Sequence, residues 1–381
     1  MTVVIHSARL IDDGAEVRGG WVAFADGVVS ARGAGDGWRD VAAADVVDAE
    51  DAVVSPGLID IHGHGGGGAS YDDGAAAIRT ARAVHLAHGT TRAVLSLVTA
   101  SIDDLAASVA LIADLADHDA TILGSHLEGP FLDAGHKGAH TATLLRAPDD
   151  AAVDRLLAAG RGTVRQVTLA PELPGGLAAV ARFVAEGTAV AVGHTNADRD
   201  RAAAAFDAGA TLLTHAFNAM PGIHHRRPGP VVAAMRDPRV TLELIADGIH
   251  VHPDVIALAF AGAPGRIALI TDAMAAAGAT DGHYELGGLD VTVRDGTARL
   301  DADGTIAGST LTQDAAVRLA IACGVALPHA LAAATSVPAR ALGLGHRHGT
   351  LRPGAVADAV LWDDLLHPRR VWVDGTPVPQ R

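Results

Sequence analysis

Residues 53–68 read VVSPGLIDIHGHGGGG, a short apolar run that ends in His62-Gly63-His64 and then dissolves into glycine. The run predicts a buried β-strand, and side chains at i and i+2 of a strand share a face. His62 and His64 then point the same way, near enough to share one metal ion. Two histidines at this spacing are common in ordinary strands, so the reading turns on whether further ligands stand at equivalent places along the chain.

The first run occupies 54–61, and seven more follow at 91–98, 121–127, 164–170, 189–193, 211–214, 240–246 and 266–271. Between them lie Ala-rich, helix-like segments such as 74–88, 102–115, 177–186 and 199–208. Strands alternating with helices predict parallel βα units, and eight units close a (β/α)8 barrel of the α/β class. Outside the barrel the rhythm differs. Val3-Val4-Ile5 and Trp21-Val22-Ala23-Phe24 are β-like, and Asp26-Gly27 before Val28-Val29 is a hairpin signal. Residues 284–306 read as hairpins turning at Gly287-Gly288, Asp295-Gly296 and Asp303-Gly304; 312–342 read as helical, and 359–362 and 371–373 as β again, with a turn at Asp374-Gly375. Both chain ends are expected to join in one small β-sandwich domain, 1–52 with 346–381, beside a metal-dependent barrel over 53–345. The alternative is two independent terminal decorations.

A chain of 381 residues with 49% hydrophobic residues, 44 Gly and few aromatics fits an Ala/Val/Leu-rich core with many tight turns. A formal charge of -15 argues against nucleic acid and anionic membranes as partners, and leaves room for a small anion only where cations converge locally. The one cysteine, Cys323, permits no intramolecular disulfide and is expected to be a buried core residue. Any metal site must therefore draw on nitrogen and oxygen donors from the 20 His and 44 acidic residues. No positively charged, apolar leader and no membrane-spanning run is evident, so a cytoplasmic enzyme is expected.

Barrel active sites stand at the C-terminal ends of the strands. Run one ends at His62 and His64, run three at His126-Leu127-Glu128, run five at Gly193-His194-Thr195, run six at Thr214-His215 and run eight at Thr271-Asp272. Polar residues begin every loop, but five such ends in register around one rim predict a metal site. Imidazole and carboxylate donors suit zinc first, then iron, manganese or cobalt. Such an ion acts as a Lewis acid on a carbonyl and makes water a nucleophile at neutral pH, which is hydrolytic chemistry. Asp272 could carry the proton, or could instead cap a helix formed by the Ala-rich stretch after it. Gly65 to Gly68 could loosen a wide loop or offer free N–H groups to an anion.

The motifs HLEGPF, GHKGAH, VGHTNA, THAFNAMPG, RRPG, IADGIHVHP, ITDAM and LTQDAAVRLA, together with PGLIDIHGHG, span nearly the whole barrel. In them the chain resembles the amidohydrolase superfamily and, within it, the N-acetylglucosamine-6-phosphate deacetylases. That resemblance implies Glu128, His194 and His215 as principal metal ligands and Asp272 as catalytic acid/base. It implies His140 near the reacting amide and Asn218 and Ala219 in a phosphate-binding loop. Arg226 and His250 match phosphate contacts supplied by the neighbouring subunit of a homodimer. Many superfamily members bridge two metals with a modified strand lysine, but Lys137, the single lysine here, lies in a loop. Any bridging falls to Glu128. The retained His62 and His64 make a second metal site available, so one or two divalent ions per subunit are expected.

The reaction implied is hydrolysis of the acetamide of N-acetylglucosamine 6-phosphate to glucosamine 6-phosphate and acetate, in amino-sugar catabolism and cell-wall recycling. The alternatives are a deacetylase of N-acetylgalactosamine 6-phosphate, another amidohydrolase acting on a small amide, and a sugar-phosphate sensor without turnover. Asp272 disfavours the last, since a sensor needs no proton carrier.

Overall fold

Eight parallel strands ring the centre of the computed structural model, which describes residues 2–379. They are β1 (Leu58–Asp60), β2 (Thr90–Val98), β3 (Ile122–Glu128), β4 (Val164–Leu169), β5 (Ala189–Val192), β6 (Leu212–Leu213), β7 (Thr241–Ile245) and β8 (Ile267–Ile270). Each is hydrogen-bonded to the next in sequence order. β2 and β3 are buried at every position, as expected of parallel strands with side chains covered on both faces. The helices between them start where the sequence supplies caps: Ser101 Oγ accepts from Asp104 N, Asp149 from Ala152 N and Asp198 from Arg201 N.

Side chains and loops, rather than a ladder, close the seam between β8 and β1. Thr271 Oγ1 donates to Asp60 Oδ2 at 2.6 Å, Asp272 N donates to His62 O at 2.8 Å, and Gln313 Nε2 reaches Leu269 O at 2.9 Å and Ile59 O at 3.4 Å. This seam places His62 and Asp272 side by side.

The first apolar run is two strands, not one. Val53–Pro56 pairs with the chain's ends: parallel to Arg9 and Leu10, and antiparallel to Ala359–Trp362. Only β1 belongs to the barrel. Between them a Cβ on Gly57 would lie 2.2 Å from Thr91 Oγ1, so glycine alone lets the chain cross from one sheet to the other. The terminal segments do combine. Val3–Asp12, Ala15–Ala25, Val28–Ala34 and Asp45–Asp48 share one eight-stranded mixed sheet with Val53–Pro56, Ala359–Trp362, Pro368–Val373 and Thr376–Pro377. Its core holds Val3, Ile5, Val22, Phe24, Leu361 and Trp372. The buried Arg92 of β2 joins sheet to barrel through Asp358 at 2.6 and 2.8 Å and Asp374 at 2.7 Å.

After β8 the chain forms a three-stranded antiparallel sheet, Gly282–Leu286, Leu289–Arg294 and Thr297–Leu300. Gly287-Gly288 and Asp295-Gly296 turn it with paired positive φ, the hairpin geometry their sequence predicts. Leu286, Val291, Val293 and Leu300 pack on Val98, the last residue of β2, and on Met274, so this insertion sits over the C-terminal end of the barrel. The predicted helical region 312–342 is three helices, Gln313–Ala322, Leu327–Ala333 and Ser336–Ala341. Cys323 is half-buried at the C-cap of the first rather than deep in the core.

Candidate active site

His62, His194, His215 and Asp272 each stand two residues past the last residue of a barrel strand, and Glu128 is itself the last residue of β3. His194, His215 and Asp272 have φ of +46°, +24° and +49°, a region costly for side-chain-bearing residues. These turns swing the side chains off the strand line toward the barrel axis. Gly193 permits one of them, since a Cβ there would lie 2.5 Å from Thr214 Cβ. His62 and His64 lie just beyond β1, not within it. Asp272 caps no helix, because residues 273–280 form turns rather than a helix.

The structure brings these residues to one buried point. Glu128 Oε1 is 3.2 Å from Nε2 of His62, of His194 and of His215. Glu128 Oε2 is 3.1 Å from His64 Nε2 and 3.5 Å from His140 Nε2. Asp272 Oδ1 lies 3.3 Å from His64 Nε2 and 3.5 Å from His62 Nε2. Two donor groups result, His62-His64-Glu128-Asp272 and Glu128-His194-His215, which share Glu128.

The donor set itself tests whether a cation fits. His194 Nδ1 lies 2.8 Å from His136 O and donates to it, leaving a lone pair on Nε2. That Nε2 faces His215 Nε2 at 3.0 Å, with Glu128 Oε1 3.2 Å from each, while the fully buried His62 Nε2 has no hydrogen-bond partner among the described residues. Imidazole nitrogens and carboxylate oxygens converging on one buried point are the donors that hold a divalent ion. The residues fit the group.

The electrostatics agree. Burial lowers the pKa of His64, but Asp272 and Glu128 outweigh it and push the imidazole up to about 9; His62 is also raised, burial being overcome chiefly by Glu128 and Asp272. Burial works against ionisation of Asp272 too, yet His62 and His64 hold it down at about 2. The carboxylates thus stay charged and draw positive charge to the cluster. His140 differs. Burial dominates, lowering it to about 4, so its ring is neutral at pH 7. Its Nδ1 accepts from Thr99 N at 3.4 Å, which places its proton on Nε2, toward Glu128 and the cavity.

A cavity of about 400 Å³ opens over the cluster, within the usual range of small-molecule sites. Asn218, Ala219 and His250 line it beside the cluster, with Leu286, Thr305 and Ile306 from the insertion as its far wall. Asn218 Nδ2 bonds His215 O at 3.3 Å, and Ala219 has φ +50° in a loop tied to the segment after β5 by Thr195 N to Ala219 O. His250 lines the cavity of its own chain, whereas the resemblance assigned it to the neighbouring subunit. Its pKa is raised, because Asp247 at 2.7 Å outweighs the penalty of burial. Arg226 lies outside the cavity on an exposed loop.

Three readings change. The N–H groups of Gly65, Gly67 and Gly68 are taken by Ala273 O, Ala277 O and Ala275 O, so these groups are not free to receive an anion, and the glycine run docks the first loop on the eighth. His126 stays below the cluster, bonded to Ser96 Oγ and Thr168 Oγ1 at 2.8 Å each. Glu243, which strand-end reasoning missed because it lies inside an apolar run, is fully buried 3.0 Å from His62 Nδ1. A lone acid within a buried run was the available signal, since such a group requires a partner.

The sequence profile of the amidohydrolase family matches residues 53–378, and the chain belongs to that family. Among its relatives is an N-acetylgalactosamine-6-phosphate deacetylase of Escherichia coli O157:H7, 39% identical over 98% of this chain and 99% of its own. An N-acetylglucosamine-6-phosphate deacetylase of Danio rerio is 36% identical over 87% of this chain and 86% of its own. Among solved structures, a mutant N-acetyl-D-glucosamine-6-phosphate deacetylase from Mycobacterium smegmatis, in complex with N-acetyl-D-glucosamine-6-phosphate, is similar with a TM-score of 0.93 and 43% identity. That likeness covers 99% of this chain and 98% of the other.

Proposed function

We propose that this chain is a metal-dependent deacetylase that hydrolyses the acetamide of N-acetylglucosamine 6-phosphate to glucosamine 6-phosphate and acetate. The observation that carries the reading is the shared Glu128 between two imidazole-rich donor groups at the foot of a sugar-sized cavity, in a chain whose relatives remove acetyl groups from amino-sugar phosphates. His194 and His215 with Glu128 would hold one divalent ion, and His62 and His64 with Glu128 and Asp272 would hold a second; zinc suits these donors best. Bound there, the metal supplies Lewis acidity, polarising the carbonyl and making water more acidic.

The protein's side chains do the rest. Asp272, ionised in this setting, takes the proton of the attacking water and returns it to the amide nitrogen as the C–N bond breaks. His140, neutral and protonated on Nε2, donates to the oxygen that gains charge in the tetrahedral intermediate. The loop at Asn218 and Ala219 holds the sugar phosphate at the cavity's open side. Among the described residues no Lys or Arg lines the cavity, and His250, whose pKa Asp247 raises, is the basic group that the loop after β7 offers to the phosphate. Arg226 of the partner subunit supplies the second, which makes a homodimer the working form.

A second reading is supported by the E. coli relative, which acts on the galacto epimer. Turnover of N-acetylglucosamine 6-phosphate beside N-acetylgalactosamine 6-phosphate decides between them: acetate release from the gluco substrate at the higher kcat/KM supports the proposal, and preference for the galacto epimer replaces it. Among the described residues no helix is long and apolar enough to cross a membrane. A cytoplasmic location accords with a chain of one cysteine and a phosphorylated substrate.

A further inference from the structure

The buried acid Glu243 belongs to β7, and its carboxylate has three partners from three other strands or strand ends. Oε2 lies 3.0 Å from His62 Nδ1, beyond β1. The same oxygen accepts from the backbone N of His215, beyond β6, at 3.4 Å. Oε1 accepts from Gln166 Nε2, on β4, at 2.6 Å. Glu243 and Gln166 are both fully buried.

We propose that Glu243 is a positioning residue for the metal centre, which fixes the tautomer and orientation of His62 and braces the backbone at His215, so that one carboxylate steadies ligands of both donor groups. A carboxylate only accepts, so His62 must carry a proton on Nδ1, which leaves Nε2 as the nitrogen to offer a bound ion beside Glu128 and Asp272. The negative charge behind the ring makes that nitrogen a better donor, as carboxylate–histidine pairs do around metals generally. Gln166 in turn stops Glu243 from rotating away. Its own Oε1 has no partner among the described residues, so the amide could reverse and serve a glutamine at 243 equally well.

That last point separates charge from geometry. In Glu243→Gln the amide oxygen still accepts from His62 Nδ1, while the new NH₂ donates to the reversed Gln166; the shape survives and the charge goes. Glu243→Ala removes both and strands His62 Nδ1. The inference rests on the cluster holding metal, as the proposed function requires. Cobalt(II) titrated into metal-stripped wild type and variants, followed by its visible absorption and by chelator competition, tests it without any turnover. Glu243→Gln is expected to weaken the ion on the His62 side by ~10-fold and to shift its absorption band at unchanged Tm, and Glu243→Ala by up to ~100-fold, the range of such outer partners. Wild-type affinity and spectrum in folded Glu243→Gln would overturn the role of Glu243, even if the alanine variant failed to fold. Wild type that binds no cobalt would instead overturn the metal centre itself.

Discussion

Replacing Asp272 by asparagine removes one proton-accepting oxygen and changes little else, and the backbone shows why. Asp272 has φ +49°, with its N–H bonded to His62 O at 2.8 Å and its C=O accepting from Ser309 N at 2.7 Å. Asparagine enters this left-handed region readily, whereas alanine would add a cost of about 1–2 kcal/mol and empty the space beside His64. The fold should therefore survive in Asp272→Asn. Its side chain could no longer take a proton from water or deliver one to nitrogen, a service worth ~10²–10⁴ in rate, or about 2.7–5.4 kcal/mol of barrier at 1.36 kcal/mol per decade. Acetate release should be followed under saturating substrate and added divalent metal, with bound metal measured on the same samples, because Asp272 also stands in a donor group. KM should change little, since the proposed mechanism places Asp272 beside the reacting atoms and away from the phosphate. A metal-loaded variant with kcat within about threefold of wild type would refute the proton-carrier role.

The retained histidine pair should hold its own ion: metal-replete wild type should contain more than one equivalent, and His62→Gln with His64→Asn should lose one while keeping that on Glu128, His194 and His215. One equivalent in both proteins, with equal activity, would show the pair to be idle. If Arg226 serves a neighbour's site, inactive Asp272→Asn and Arg226→Ala chains refolded together should regain roughly a quarter of wild-type activity, because half the dimers are mixed and each mixed dimer has one intact site. No recovery, once mixed dimers are demonstrated, would place Arg226 in its own chain's site. Away from the centre, buried Asp314 is held below the usual carboxylate range, burial being outweighed by His88 at 3.1 Å and, among others, Arg318 at 2.8 Å. A lowered folded pKa stabilises above the unfolded value of about 3.9 and is lost as pH falls toward the folded one. Asp314→Asn should thus cost about 1–3 kcal/mol in urea unfolding at pH 6, with the deficit shrinking by pH 3; an equal deficit at both would contradict the assignment.

Local signals in the sequence determined the barrel, its hairpins and most of the candidate donor positions. Strand runs, helix caps and Asp-Gly turns act over a few residues, and barrel sites stand at strand ends, so the strand ends that carry His62, Glu128, His194, His215 and Asp272 could be picked out by position, while the family resemblance singled out Glu128, His194, His215 and Asp272 among them. What depended on contacts between distant segments could not. The break at Gly57 exists because Thr91 leaves no room for a Cβ, and the docking of Gly65 to Gly68 exists because residues 273–277 offer carbonyls there. His250 reaches its own chain's cavity through the path of the loop after β7, which Asp247 fixes. Glu243 meets His62 across 181 positions of sequence. Only closure of the barrel brings an inward side chain of β7 within reach of the end of β1, and burial then makes each group the other's required partner.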